Sequence, residues 1–191
     1  DQQKRLPGKT ILIVDVSGSM FGSPNISEYF EIGLPISKYS KMTREKVAAC
    51  LGILLREVCE QPVIYATAGN DYRRIHATSI VPARRGFALA DAILKMNRPL
   101  GGGGIFLKQV MDFVYEKEKE ADRIIVITDE QDYSSGSADA PAKANTFGKI
   151  NYMINVQSNQ RGIGYGKWVH IDGWSDAVVN FIQAYETETS N

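Results

Sequence analysis

The fold of this chain is most clearly indicated by one stretch of its sequence: Thr10-Ile11-Leu12-Ile13-Val14-Asp15-Val16-Ser17-Gly18-Ser19. Its four consecutive large aliphatic residues, Ile11 to Val14, are typical of a short β-strand that is buried on both faces. The stretch from Arg123 to Asp129 repeats this pattern and also ends in an aspartate. Strands of this kind occur in parallel sheets that helices cover on both sides, so the two stretches predict an α/β fold.

The rest of the chain alternates between helical and strand patterns. Apolar spacing predicts helices over 43–58, 87–96, 107–119 and 138–147, and a closing helix that Ser175 caps. Strands are predicted over 62–68, 150–156 and 168–171, and Gly69-Asn70 before 71–76 is typical of a hairpin turn leading into a partner strand. Residues 21–41 carry Gly, Pro, Asn and Ser without periodicity, which predicts a long loop or insertion.

These elements predict a single domain over residues 1–191, with an ordered core from about residue 8 to residue 186. Its architecture is a doubly wound, mostly parallel six-stranded sheet with one antiparallel edge strand and helices on both faces. The chain starts at Asp1, and a core strand follows within about ten residues. We therefore expect the domain to be excised from a longer protein.

Composition and charge exclude several classes of protein. With 191 residues, 43% of them hydrophobic and 23% charged, the chain is neither a disordered nor a collagen-like protein. Lysines and arginines number 22, as do the acidic residues, so no net charge attracts nucleic acid or anionic lipid. No apolar run approaches the roughly 20 residues of a membrane span. We predict that Cys50 and Cys59 are buried thiols in a reducing compartment, which favours a cytoplasmic location.

The two strand-end aspartates predict a site for a hard cation. Side chains at alternate positions of a short turn point to one side, so Asp15, Ser17 and Ser19 should converge. Ligands of α/β sheets bind at the carboxyl ends of the strands, where Asp129 would join them. Carboxylate and hydroxyl oxygens suit Mg²⁺ rather than Zn²⁺. The alternative is a strand-end turn that Asp15 caps without any ligand.

The run Asp15-Val16-Ser17-Gly18-Ser19 after a buried strand resembles the metal-ion-dependent adhesion site of von Willebrand factor A domains. That family's pattern is Asp-x-Ser-x-Ser, then a threonine on a Gly-rich loop, then an aspartate at the end of a later strand, which Asp129 matches. The resemblance implies a non-enzymatic domain that binds Mg²⁺ and takes a partner's carboxylate at the open coordination position.

The threonine of the pattern is absent from this sequence. The loop Gly101 to Gly104 lies where it is expected, and the equivalent position is Gly103. Because Mg²⁺ keeps several waters, a water can replace the missing hydroxyl, and we expect weaker metal binding as a result. The resemblance nevertheless counts Gly103 among the positions of the metal site.

Within that family, the sequence is most similar to the A domain of Ro-type (TROVE) RNA-binding proteins. The similarity is carried by Pro99-Leu100-Gly101-Gly102, Thr128-Asp129-Glu130 followed by Gly136, His170-Ile171-Asp172-Gly173-Trp174, and Ala177-Val178-Val179-Asn180-Phe181. It implies a companion N-terminal ring of helical repeats that binds small noncoding RNA. It also implies that the present chain is the interaction domain beside that ring.

Two other functions stay open. One is an Mg²⁺-dependent hydrolase or phosphotransferase, although a haloacid-dehalogenase-type enzyme needs a second acid where Ser17 stands, and a serine nucleophile needs a base. The two histidines, His76 and His170, are both predicted to lie in strands away from the site. The other is a structural domain with a degenerate metal site.

Basic residues can form a patch or a solvated face. They are Arg73, Arg74, Arg84, Arg85, Lys38, Lys41, Arg44 and Lys46. A patch would contact phosphates without sequence preference and in a salt-dependent way.

Overall fold

A computed structural model of the chain describes residues 5–21, 42–129, 144–157 and 167–189. The strands are β1 (Leu6–Asp15), β2 (Cys59–Asn70), β3 (Ile75–Ile80), β4 (Ala121–Thr128), β5 (Gly148–Asn155) and β6 (Val169–Asp172). The helices are α1 (Gly18–Phe21), α2 (Arg44–Val58), α3 (Gly86–Leu94), α4 (Leu107–Glu118) and α5 (Ala177–Thr189). Apart from Phe21, the predicted insertion lies outside the described residues.

The six strands form one sheet in the order β3-β2-β1-β4-β5-β6. All neighbours are parallel except β2 and β3, so β3 is an antiparallel edge strand. The predicted doubly wound architecture is therefore confirmed. From β1 the chain moves outward to β2 and β3, and it then returns to β4 beside β1. The carboxyl ends of β1 and β4 thus form the switch point, where α/β sheets bind ligands.

The aliphatic run in β1 serves two separate cores. Leu12 and Val14 pack in the core that also holds the buried residues of α2, α3 and α5. Ile11 and Ile13 pack on the opposite face of the sheet, in the core that holds those of α4. Because successive side chains of a strand point to opposite faces, a central strand between two helical layers must be apolar at every position.

The hairpin after β2 differs from its prediction. Residues Asp71 to Arg74 form the turn, and the partner strand begins only at Ile75. The Asn70 side chain accepts a hydrogen bond from the backbone N–H of Arg73 at 2.9 Å, and Arg74 has a φ of 51°. Asparagine side chains that bond to the backbone ahead of them stabilise turns. The turn therefore follows Gly69-Asn70 instead of consisting of them, and the partner strand begins four residues later than predicted.

Two further predictions are wrong in the described residues. Ala144 to Phe147 is not helical and leads directly into β5, while the remainder of the helix predicted over 138–147 lies outside the described residues. Cys50, predicted to be buried, is exposed on α2, whereas Cys59 at the start of β2 is buried as predicted. Both cysteines are free thiols. In the described segments, no helix is long and apolar enough to cross a bilayer.

A buried polar cluster ties α5 to the sheet at the end opposite the switch point. The Arg123 guanidinium of β4 donates to both carboxylate oxygens of Glu186 on α5, at 2.8 and 2.5 Å. It also donates to the Thr10 hydroxyl at 2.9 Å and to the carbonyl oxygen of Pro7 at 2.8 Å. The Tyr152 hydroxyl donates to Glu186 at 3.1 Å. Each partner in this cluster compensates for the loss of water around the Arg123 charge.

Candidate metal centre

The Asp15 carboxylate is the innermost group of the site. Its Oδ1 accepts the backbone N–H of Ser17 at 2.8 Å, and its Oδ2 accepts the hydroxyl of Thr128 at 2.7 Å. Burial and, to a smaller extent, the nearby charge of Asp129 together raise the pKa of Asp15 to about 7. A divalent cation bound beside Asp15 would lower this pKa, because it stabilises the ionised carboxylate.

The two serine hydroxyls converge in front of Asp15. Ser17 Oγ and Ser19 Oγ are 3.1 Å apart, and the Ser19 hydroxyl donates to Asp129 Oδ1 at 3.2 Å. The structure thus brings together the four predicted oxygen-bearing residues, which come from the end of β1, the link to α1, α1 itself and the residue after β4. Adjacent ligands of an octahedral Mg²⁺ at about 2.1 Å lie about 3 Å apart, so the spacing of the hydroxyls suits such an ion. The donor set therefore fits Mg²⁺ in oxygen type and in spacing.

Gly103 lies beside the site and contacts it through its backbone. The carbonyl oxygen of Gly103 accepts the N–H of Gly18 at 3.2 Å, and its own N–H donates to the carbonyl oxygen of Gly69 at 2.9 Å. A Cβ on Gly103 would lie 2.4 Å from that same Gly69 oxygen and 3.0 Å from Asp71 Oδ1. The expected threonine would therefore collide with the end of β2. The loop carries glycine here because two backbones approach each other closely.

Arg44, which the sequence places among basic residues of a patch or a solvated face, belongs to this site instead. Arg44, the first residue of α2, is nine-tenths buried, and its Nη1 lies 2.8 Å from Asp129 Oδ2. The same nitrogen donates to the backbone oxygen of Ser19 at 3.3 Å. No spacing rule connects positions 44 and 129. Only the contact of α2 with the end of β4 reveals the pair.

The first turn of α2 is buried although it carries charged residues. Thr43 occupies the N-cap position, but its hydroxyl donates to Glu45 Oε1 at 2.6 Å rather than capping the backbone. Burial raises the pKa of Glu45. The charged residues Arg44 and Glu45 thus face protein, and Lys46 is exposed.

A row of polar side chains crosses the sheet at the level of Asp15. Paired residues on neighbouring strands point to the same face, and the pairs here are Thr67 with Asp15, Thr67 with Thr78, Thr128 with Asn155, and Asn155 with Asp172. The Thr67 and Thr78 hydroxyls are 2.9 Å apart, and Thr78 is 2.8 Å from Nδ1 of His76. Burial lowers the pKa of His76. This histidine bonds within the row, three strands away from Asp129.

The exposed basic pairs do not form one patch. Arg73 and Arg74 lie in the turn before β3, whereas Arg84 and Arg85 follow its other end. A six-residue strand separates the two pairs by about 20 Å. With Arg44 buried, the exposed members of this set in the part of the chain that the structure describes are two separated arginine pairs and Lys46. Lys38 and Lys41 fall outside it.

The geometry defines a class of domain: a doubly wound α/β sheet with a carboxylate and hydroxyl site at its switch point. No protein-family model matches the sequence. No curated protein matches it either. Among solved structures, the chain is similar to the crystal structure of the Deinococcus radiodurans Ro (RSR) protein, with a TM-score of 0.56 and 13% sequence identity. The match covers 93% of this chain and 34% of that one, so the chain spans about a third of its relative's length. At this identity the comparison shows a Ro-like fold.

Proposed function

We propose that this chain is a non-enzymatic, metal-dependent interaction domain. The observation that supports the proposal is the convergence of the Ser17 and Ser19 hydroxyls, 3.1 Å apart, between Asp15 and Asp129. The Ser17 and Ser19 oxygens would bind Mg²⁺ directly, and the two carboxylates would hold it directly or through water. The bound ion supplies a Lewis-acidic position that attracts an outside carboxylate, which a partner protein would provide.

The contacts of the serines favour binding over catalysis. Among the described residues, the Ser17 and Ser19 hydroxyls bond to each other, Ser17 also bonds to Asp15 and Ser19 to Asp129, and neither has a hydrogen bond to a histidine or a lysine. In that part of the chain, neither serine is therefore bonded to the histidine or lysine that usually activates a serine nucleophile. An assay for turnover of nucleotides and phosphoesters in the presence of Mg²⁺ separates the two classes, and we expect no turnover.

Removal of Asp15 tests the metal site. Mg²⁺ or Mn²⁺ should raise the melting temperature of the wild type, with a gain limited to about 2.7 kcal/mol at a hundredfold excess over the dissociation constant. Asp15→Ala should abolish this gain, because the innermost carboxylate is lost. The matched control is Asp112→Ala, which removes a surface carboxylate from α4 and should leave the gain intact. An equal gain in Asp15→Ala and in the wild type would place the metal elsewhere.

A structural domain with a degenerate site is the second candidate. The buried Arg44–Asp129 ion pair favours it, because the guanidinium already balances the charge of Asp129. Gly103 favours it too, because glycine has no side chain that could bind a metal ion. The same titration distinguishes the candidates: a wild type whose melting temperature does not respond to Mg²⁺ or Mn²⁺ supports the structural domain.

The Ro-like fold suggests a wider context. We propose that the full protein is a Ro-like ribonucleoprotein component of the cytoplasm, in which a companion domain binds small noncoding RNA. The support is the likeness to the Deinococcus Ro structure and the share of that chain that is matched. The zero net charge and the separated arginine pairs favour a domain that does not itself hold the RNA.

The isolated chain should therefore bind RNA weakly. We expect dissociation constants of about 10⁻⁴ to 10⁻⁶ M, without sequence preference and weakening with salt, as for non-specific binding to nucleic acid. Fluorescence anisotropy with a structured small RNA and a scrambled control, at low and at physiological salt, measures both properties. Nanomolar, salt-resistant binding by this chain alone would contradict the assignment of RNA to a companion domain.

A further inference from the structure

Arg44 links the two halves of the candidate metal centre. From the first turn of α2, its Nη1 donates to Asp129 Oδ2 at the end of β4 and to the backbone oxygen of Ser19 in α1. The side chain of Asp129 is fully buried and that of Arg44 is 10% exposed. The guanidinium therefore neutralises Asp129 in an environment where water does little to screen either charge.

A divalent cation and this guanidinium compete for the same carboxylate. Asp129 Oδ1 accepts the Ser19 hydroxyl, and Oδ2 accepts Arg44. An ion bound by the serines and Asp129 would lie within a few ångströms of the guanidinium. Two positive groups at that distance repel each other strongly when both are shielded from water. The ion and the guanidinium thus cannot both occupy their best positions.

The ion pair is also not the strongest that its two partners can form. Arginine and a carboxylate bind best through two parallel hydrogen bonds, but only Nη1 reaches Asp129 here. Within the described residues, the buried Nε of Arg44 has no hydrogen-bond partner. A buried donor without a partner is unfavourable. The arrangement is therefore one that a second cation can displace.

We propose that Arg44 is a tethered competitor of the divalent cation, which holds Asp129 in the metal-free protein and releases it when metal binds. The inference rests on the proposed metal site and adds a way of regulating it. The apparent metal affinity is the intrinsic affinity multiplied by the fraction of molecules in which Arg44 has left Asp129. Metal binding is likewise coupled to the contact between α2 and the turn at Ser19, since Arg44 joins them.

The test replaces Arg44 by an uncharged residue of similar length. Arg44→Met should bind Mn²⁺ at least tenfold more tightly than the wild type in calorimetric titration, which corresponds to about 1.4 kcal/mol. Without metal this variant should melt at a lower temperature, because the buried Asp129 loses its ion pair with Arg44, and Mn²⁺ should restore more stability than it gives the wild type. Lys46→Met is the matched control, because it removes the same charge from an exposed position two residues away.

The outcomes separate this inference from the proposed function. If the wild type binds Mn²⁺ and Arg44→Met binds no more tightly, Arg44 is a structural partner only, and the metal-binding proposal stands. If neither the wild type nor Arg44→Met binds Mn²⁺ at millimolar concentration, both proposals are overturned. An affinity gain in Lys46→Met equal to that of Arg44→Met would also overturn the inference, because it would be an effect of net charge.

A measurement on the wild type covers the case in which Arg44→Met does not fold. The Nε–Hε resonance of Arg44, assigned by nuclear magnetic resonance, should shift on saturation with Mg²⁺ as the guanidinium leaves Asp129. The resonance of Arg56, which donates from the far end of α2 to the backbone oxygen of Arg84, is the internal control and should stay in place. An unchanged Arg44 resonance at saturating Mg²⁺ would contradict displacement.

Discussion

Replacing Arg123 by methionine should lower the free energy of unfolding by about 3–5 kcal/mol, the usual cost of removing one partner of a buried ion pair. The Arg123 side chain is 3% exposed, and that of Glu186 is 16% exposed. Without the guanidinium, Glu186 keeps a charge in a poorly hydrated position. The Thr10 hydroxyl and the Pro7 carbonyl also lose a donor. Urea denaturation, followed by circular dichroism, measures the loss.

Two further variants show whether burial is the cause. Lys108→Met removes a lysine from a surface pair with Asp112 within α4, and we expect a loss of about 0.3–0.5 kcal/mol. The double variant Arg123→Met, Glu186→Leu removes both buried charges and should recover much of the loss, because an apolar pair has no unpaired charge. A loss below about 1 kcal/mol in Arg123→Met would mean that the pair does not hold α5 to the sheet.

Gly103→Thr should destabilise the domain by about 3 kcal/mol, at the upper end of the cost of overpacking, and should not tighten Mg²⁺ binding. The added Cβ would lie 2.4 Å from the backbone oxygen of Gly69, so the loop or the end of β2 must move. That movement weakens the hydrogen bond from Gly103 to Gly69 and the one from Gly104 to Asp71. Thermal unfolding and calorimetric Mg²⁺ titration measure the two effects.

The comparison with Gly52→Ala isolates the backbone contact. A Cβ on Gly52, within α2, would meet only the end of the Ile93 side chain, at 3.1 Å, and alanine favours a helix over glycine by about 0.5–1 kcal/mol. We therefore expect little change in stability for Gly52→Ala and a clear loss for Gly103→Ala. If Gly103→Thr folds as stably as the wild type and binds Mg²⁺ more tightly, a threonine hydroxyl does reach the site, as the family resemblance implied.

The predictions from sequence were most accurate where one residue type repeats at a fixed spacing. The aliphatic runs before Asp15 and Asp129 placed two central strands and the edge of the sheet at which they end. The apolar spacing of α4 predicted that helix to within one residue, Leu107–Glu118 against 107–119. Such patterns are reliable because the position of a residue along a strand or helix decides whether its side chain faces the core, and core positions favour apolar residues.

The predictions failed where a local signal competed with a tertiary one. Gly69-Asn70 is a common hairpin turn, yet the close approach of the Gly-rich loop to Gly69 continues β2 through Asn70 and moves the turn to Asp71–Arg74. Ala144 to Phe147 has helical spacing, but Phe147 stacks edge-on against Tyr115 of α4 and leads into β5. In both places, contacts with distant segments outweigh the intrinsic preference of a few residues.

The candidate site shows the same division. Asp15, Ser17, Ser19 and Asp129 were predictable from sequence, because strand ends and alternating positions on a turn are local features and parallel strands end at a common edge. The roles of Arg44 and Gly103 depend instead on which distant backbones and charges lie against them. Arg44 meets a carboxylate 85 positions away, and Gly103 meets the end of β2, 34 positions earlier. Such contacts arise when α2 and the Gly-rich loop pack at the carboxyl edge of the sheet, and no periodic pattern encodes the resulting distances.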